Sequence, residues 1–283
     1  MDGTDKEQPS VLVIILDTNP IFWSERQAEC AIQPSLLNFT QMIEHLIIYI
    51  NSHLLLHAAN NVAIISNHPT RTEFLFCGSG ASDAQTEFRK QTHTLIEKLR
   101  AIGTDYSCES ESSQFSASLS LALCYINRVK KVTASENLDC KILMLQGTQD
   151  TSDQYISMMN CIFSAQKMNV IVDACVLSTK NSTFLQQACY LTSGIYLCIN
   201  PELQQGFLQY LLTIFLPDKN TRHLFAMPIR NQIDLRASCF CHRQPIEIGY
   251  VCSVCLSIYC KFHPVCSTCG TKFVLPKFSN KLH

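Results

Sequence analysis

The 283 residues carry a formal net charge of −1 and are 47% hydrophobic, which supplies a sizeable core and argues against a chain built to bind polyanions. The charge is uneven: residues 239–283 hold five Lys/Arg against Glu247, net +4, leaving −5 on residues 1–238. The acidic opening residues precede an apolar run of only six, and no uninterrupted run approaches the roughly eighteen residues that span a bilayer. Neither a secretory signal nor a membrane helix is expected, and the chain reads as soluble and intracellular. In a reducing compartment the nine cysteines between residues 30 and 198 read as buried thiols.

Val11 to Leu16, Ile142 to Leu145 and Val170 to Leu177 are nearly continuous apolar runs rich in β-branched residues, the pattern of parallel strands covered on both faces. Segments of helical length and period lie between or beside them: Ser35 to Leu56, Ala84 to Ile102, Ser113 to Val132, Ser152 to Met168 and Thr183 to Leu191. This alternation specifies a layered α/β sheet. Asn61 to Ser66 and Glu73 to Cys77 are joined by too few residues for a crossover, so that pair is expected to be antiparallel. Ser107 to Ser116 reads as a polar loop, and a last strand, Gly194 to Ile199, precedes a helix from about Pro201 to Leu216. The apolar arc of that helix, which includes Leu208 and Leu212, is wider than one core-facing stripe needs. Part of it is expected either to lie against the cysteine-rich module or to form a subunit interface. From Pro217 to Ser238 the periodicity is lost, which divides the chain into residues 1–217, a linker at 218–238 and a small module at 239–283.

Seven of the sixteen cysteines fall in that module, and two Cys-x-x-Cys pairs, Cys252 with Cys255 and Cys266 with Cys269, stand ten residues apart. Each such turn aims two thiolates at one point, the geometry that tetrahedral Zn²⁺ needs, and so short a segment lacks the apolar surface to fold unaided. Zinc is therefore the expected cofactor. Cys239-x-Cys241 and Cys260-x-x-His263 offer two further pairs in alternating order. They permit a second zinc in a cross-braced arrangement, the other reading being that Cys260, Phe262 and His263 pack beneath the first site.

No catalytic constellation is evident. Neither Gly-rich phosphate motif occurs, and the nine histidines lie in no Ser-His-Asp or Cys-His-Asp signature. In an open α/β sheet the loop after the first strand is where a ligand would sit, and here it reads Asp17-Thr18-Asn19-Pro20-Ile21-Phe22-Trp23. This pattern resembles the von Willebrand factor A fold, whose corresponding loop reads Asp-x-Ser-x-Ser and binds Mg²⁺. Asp17 is retained, but Ile21 occupies the last ligand position, and an isoleucine has no oxygen to offer an octahedral ion. The fold's later ligands would fall near Ser113 and Gly147-Thr148, with no carboxylate until Asp150. Asp17 is thus expected to be a hydrogen-bonded end to a buried strand, and Ile21, Phe22 and Trp23, in a long exposed-looking loop, are either interface anchors or buried against the last helix.

An A-like domain with a degraded metal motif, followed by the module that runs from Cys239-Phe240-Cys241-His242 through Cys252-Ser253-Val254-Cys255 to Cys260, resembles the family of 34-kilodalton core subunits of the general transcription and repair factor TFIIH. The resemblance extends through Asp173-Ala174-Cys175-Val176-Leu177 and Leu185-Gln186-Gln187-Ala188-Cys189. It implies a non-catalytic, nuclear structural subunit acting in RNA polymerase II initiation and nucleotide excision repair. The A-like domain would bind the Ring-type zinc domain of a neighbouring core subunit, and a four-cysteine finger would correspond to Cys252, Cys255, Cys266 and Cys269. A Ring-like ubiquitin ligase and a zinc-ribbon binder of single-stranded nucleic acid are the competing classes. The weak basic charge of the module argues against strong direct nucleic-acid binding.

Overall fold

The computed structural model describes residues 9–78, 84–103, 113–133, 138–151, 154–219, 221–228, 236, 239–242 and 246–273. Two compact units divide at 233/234.

The larger unit is built on a six-stranded sheet: β1 Ser10–Asp17, β2 Asn61–Asn67, β3 Thr72–Cys77, β4 Asp139–Gln146, β5 Ile171–Val176 and β6 Tyr196–Cys198, in spatial order 3-2-1-4-5-6. All neighbours are parallel except β2 and β3, whose short connector enforces the antiparallel edge anticipated from the sequence. The side chains of β1 alternate strictly, Leu12, Ile14 and Leu16 entering one apolar layer and Val11, Val13 and Ile15 the other. The first layer is closed by α1 Pro20–Ile32, α2 Phe39–Leu56 and α3 Ala84–Gly103, the second by α4 Phe115–Thr133, α5 Tyr155–Lys167 and α6 Thr183–Leu191. Full burial of each such Leu or Ile contributes about 1.5–3 kcal/mol, which is why the strands read as continuous apolar runs. Most of Ser107–Ser116, the anticipated polar loop, lies outside the described residues.

The last helical segment winds unevenly. A 3-10 turn at Pro201–Gly206 leads into α7 Phe207–Tyr210 and then a π turn at Leu211–Phe215, closed by the Leu216 amide on the Leu211 carbonyl at 2.9 Å. The π turn adds a residue per turn, so Leu211, Ile214 and Phe215 all face the core. The uneven winding accounts for most of the wide apolar arc. Leu212 packs at the core margin, Leu208 is half-buried and outside both apolar layers, and Leu203 is 53% exposed.

The carbonyls at the end of this segment meet a buried lysine. Lys141 Nζ, reaching across from β4, donates to the carbonyls of Phe215 (2.6 Å), Leu216 (3.4 Å) and Pro217 (3.5 Å), while the Tyr49 hydroxyl also donates to Phe215. Burial pushes the Lys141 ammonium down to about 8. Beyond Pro217 the chain does not run free: Arg222 makes a two-pronged bond with the fully buried Asp173 of β5, and Met227 packs against the first layer. The larger unit therefore extends past residue 217, into the segment read as a linker.

His53, on the inner face of α2, is 1% exposed, and burial with Lys141 nearby pushes its imidazole from 6.5 to about 3. As pH falls, the unfolded chain takes up this proton first, so the stability that neutral His53 contributes is whole above pH 6.5 and lost between 6.5 and about 3. The slope is about 1.4 kcal/mol per pH unit at most. Urea midpoints measured from pH 7.5 to 4.5 are expected to fall less steeply in His53→Leu than in the parent; parallel curves would refute the assignment.

Candidate metal centre and the closed cleft of the sheet

At the carboxyl end of β1, the Asp17 carboxylate is saturated by the chain itself. Oδ1 accepts from the Asn19 amide (3.2 Å) and the Ser113 hydroxyl (2.8 Å); Oδ2 accepts from the Gly147 amide (3.0 Å), the Thr148 amide (2.8 Å) and the Thr148 hydroxyl (2.7 Å). The three segments matched to the cation loops of the A fold do converge, but as donors to a 1% exposed carboxylate rather than as ligands. Such a set does not fit Mg²⁺, which requires acceptor oxygens facing the ion. Adding Mg²⁺ at millimolar concentration is expected to leave the melting temperature unchanged; a rise that follows the added ion would overturn this.

The residues after Asp17 form α1 rather than a long loop. Asn19 caps it by accepting from the amides of Ile21 (3.0 Å) and Phe22 (3.4 Å), and Pro20 sits at the first helical position. The Asn-Pro pair is the signal that could have revealed the helix from sequence. Trp23 is consequently a core residue, 6% exposed, with its indole N–H on the Asp17 carbonyl at 2.8 Å and its ring 5.0 Å from Phe39. It is not an exposed anchor. Phe22 lies over Gly147, where an added Cβ would come within 2.1 Å of the ring, and Ile21 is half-buried beside it.

Both line a groove of about 650 Å³ between α1 and the loops after β4 and β5, with Glu25, Glu29 and Gln149 on its walls. Arg26 also borders it but is 5% exposed: its guanidinium donates to the Leu177 carbonyl (2.6 Å) and the Gln204 side chain (3.2 Å). Gln204, fully buried, also accepts from the Leu37 amide and donates to the Leu177 carbonyl. This hub ties α1 and the final helical segment to the sheet, and no spacing in the sequence marks it.

In the smaller unit the chain forms two matching knuckles. Leu256 and Gly270, each directly after a Cys-x-x-Cys pair, adopt positive φ (59° and 72°), and their amides donate to the Cys252 and Cys266 carbonyls at 2.9 Å. The knuckles bring Cys252, Cys255, Cys266 and Cys269 together, with Sγ separations of 3.7 Å for Cys252–Cys269 and 3.6 Å for Cys255–Cys266. These are close to the ~3.8 Å edge of a tetrahedron with Zn–S bonds of about 2.3 Å. The Tyr259 hydroxyl, 3.1 Å from Cys266 Sγ, lowers that thiol to about 5, favouring the ligating thiolate. Four soft donors at tetrahedral spacing fit Zn²⁺.

Cys239, Cys241 and Cys260 converge on a second point, with His242 as their companion. His263 lies elsewhere, its ring edge-on to Tyr259 at 5.3 Å, and Phe262 packs with Tyr250 and Phe273. The smaller unit's two strands, β7 Tyr250–Val251 and β8 Ile258–Tyr259, pair antiparallel, and the chain turning away after β8 carries His263 onto the Tyr259 ring.

A sheet of this order, with its cation cleft sealed by its own donors, defines a von Willebrand factor A-type fold, here joined to a small cysteine-rich unit with two candidate metal centres. The chain belongs to the Tfb4 family: the family model described as "Transcription factor Tfb4" matches residues 9–270. It is 42% identical over 261 residues, 84% of this chain and 69% of the relative, to general transcription factor IIH subunit 3 of Dictyostelium discoideum. Over 279 residues, 93% of this chain and 89% of the relative, it is 38% identical to general transcription and DNA repair factor IIH subunit TFB4 of Arabidopsis thaliana. The larger unit is similar to the crystal structure of the TFIIH p34 N-terminal domain, with a TM-score of 0.62 and 30% identity over 72% of this chain and 97% of that one.

Proposed function

We propose that this chain is a non-catalytic structural subunit of the TFIIH core complex, acting in the nucleus in transcription initiation and nucleotide excision repair. Support comes from family membership across residues 9–270 and from relatives named as factor IIH subunits. The observation that carries the non-catalytic reading is the five-donor closure of Asp17, which removes the one position where this fold would otherwise present a reactive ion. The A-type unit docks the Ring-type zinc domain of a neighbouring subunit, and Cys252, Cys255, Cys266 and Cys269 hold one Zn²⁺.

The test is purification of the tagged chain from nuclear extract. The other core subunits, a Ring-containing one among them, are expected at equal stoichiometry; elution of the chain alone would refute the assignment. Leu208 can be charged without opening the core, so Leu208→Asp is expected to weaken recovery of the Ring-containing subunit while leaving the far-UV spectrum unchanged. Leu212→Asp reports on folding as well, because Leu212 packs at the core margin.

A further inference from the structure

The cysteines outside the four-cysteine group are themselves arranged as a site. Cys241 Sγ lies 3.3 Å from Cys260 Sγ and 3.2 Å from His242 Nδ1; His242 Nδ1 lies 3.2 Å from Cys260 Sγ and 3.9 Å from Cys239 Sγ. All four ligand atoms fall within 4.8 Å of one another. Three sulfurs and one ring nitrogen at these spacings approach the edges of a tetrahedron around Zn²⁺, whose Zn–N and Zn–S bonds are about 2.0 and 2.3 Å. A disulfide would join two of these sulfurs and leave the third sulfur and the imidazole without a reason to converge.

We propose that Cys239, Cys241, His242 and Cys260 bind a second Zn²⁺, with His242 rather than His263 as the nitrogen ligand, and that the two ions cross-brace the module. This rests on the reading that the four-cysteine group binds the first. Along the chain the ligands alternate: residues 239–242 for one ion, 252 and 255 for the other, 260 for the first again, then 266 and 269. Each ion therefore closes a loop that contains ligands of its neighbour. The strand β8 links them: the Phe240 amide donates to Ile258 at 2.8 Å, Cys260 follows the strand, and Tyr259 reaches the Cys266 sulfur.

The need for a second clamp follows from what the module lacks. Among the described residues its apolar cluster has only Cys252, Tyr259 and Cys266 as buried members. Ile248, Val254 and Leu256 are 86%, 66% and 70% exposed and contribute little to burial. With so small a core, this ligand set adds to the Phe240 amide bond and the Phe240–Tyr259 ring contact in holding residues 239–242 to β8.

Zinc content per polypeptide of the full chain, measured by elemental analysis after dialysis against metal-free buffer, decides the matter. Two ions are expected in the parent, one in His242→Ala, two in His242→Cys, which restores a ligand, and two in His263→Ala. One ion in the parent would overturn the proposal and leave the four-cysteine site standing; none would overturn both. Retention of two ions by His242→Ala with loss of one from His263→Ala would overturn the ligand assignment. Should His242→Ala fail to fold, the zinc contents of the parent, His242→Cys and His263→Ala still separate these outcomes.

Discussion

Replacing Cys266 with serine is expected to unfold the smaller unit while the sheet unit melts as before. Cys266 is 2% exposed, is one of the four thiols that converge, and meets the Tyr259 hydroxyl that ties the second knuckle to β8. Structural zinc sites contribute roughly 10–16 kcal/mol of apparent binding free energy, which is also folding free energy when no comparable core exists. A hydroxyl at this position leaves three thiolates and an unfilled vertex. Limited proteolysis within residues 246–273 is expected to accelerate at least a hundredfold, and the site's zinc to be lost. Cys124, exposed on α4, is the control: Cys124→Ser leaves both measurements unchanged. A Cys266→Ser protein with full zinc content and parental proteolysis would show that Cys266 is not a zinc ligand.

The second large effect is expected inside the sheet. Asp173 is fully buried and receives the Ile195 amide at 2.8 Å in addition to both prongs of Arg222, which is itself only 11% exposed. Asp173→Ala leaves the guanidinium and the nearby Lys141 ammonium without their carboxylate. Breaking a buried pair by removing one partner costs about 3–5 kcal/mol. For a unit of this size each kcal/mol lowers Tm by about 2–4 °C, so a fall on the order of 10 °C is expected. Removing Arg222 as well relieves the uncompensated cation, so the double replacement is expected to cost less than the two single ones added together. A loss below about 1 kcal/mol for Asp173→Ala would mean that the pair is solvated and outside the fold's polar network.

How much of this was legible depended on which residues advertise their neighbours. Strands buried on both faces must be apolar throughout, so β1, β4 and β5 stood out, and the short connector before Thr72 decided the antiparallel edge. The Cys-x-x-Cys pairs carried their own geometry, and the knuckles follow them. The first helix was obscured because its apolar residues gather at its two ends, Ile21 to Trp23 and Cys30 to Ile32, around a largely polar middle with no continuous 3.6-residue stripe, although Asn19-Pro20 marks its start. His263 drew attention because Cys260-x-x-His263 has knuckle spacing; Cys239-x-x-His242 offers the same spacing but is masked by the nearer Cys239-x-Cys241 pair. What decides between them is where the chain turns after β8, a tertiary fact. Lys141, Asp173 and Gln204 were invisible for the same reason: nothing in the residues flanking them hints that their partners lie dozens of positions away.

The saturation of Asp17 also bears on how an assembly containing this chain would respond to loss of divalent ions. A surface whose shape is fixed by amide and hydroxyl donors needs no ion to be ready for a partner. Contacts made by the sheet unit should then persist in chelating buffer, while those made by the cysteine-rich unit should fail, so that such a complex would disassemble in stages and the first piece to detach would report which unit held it.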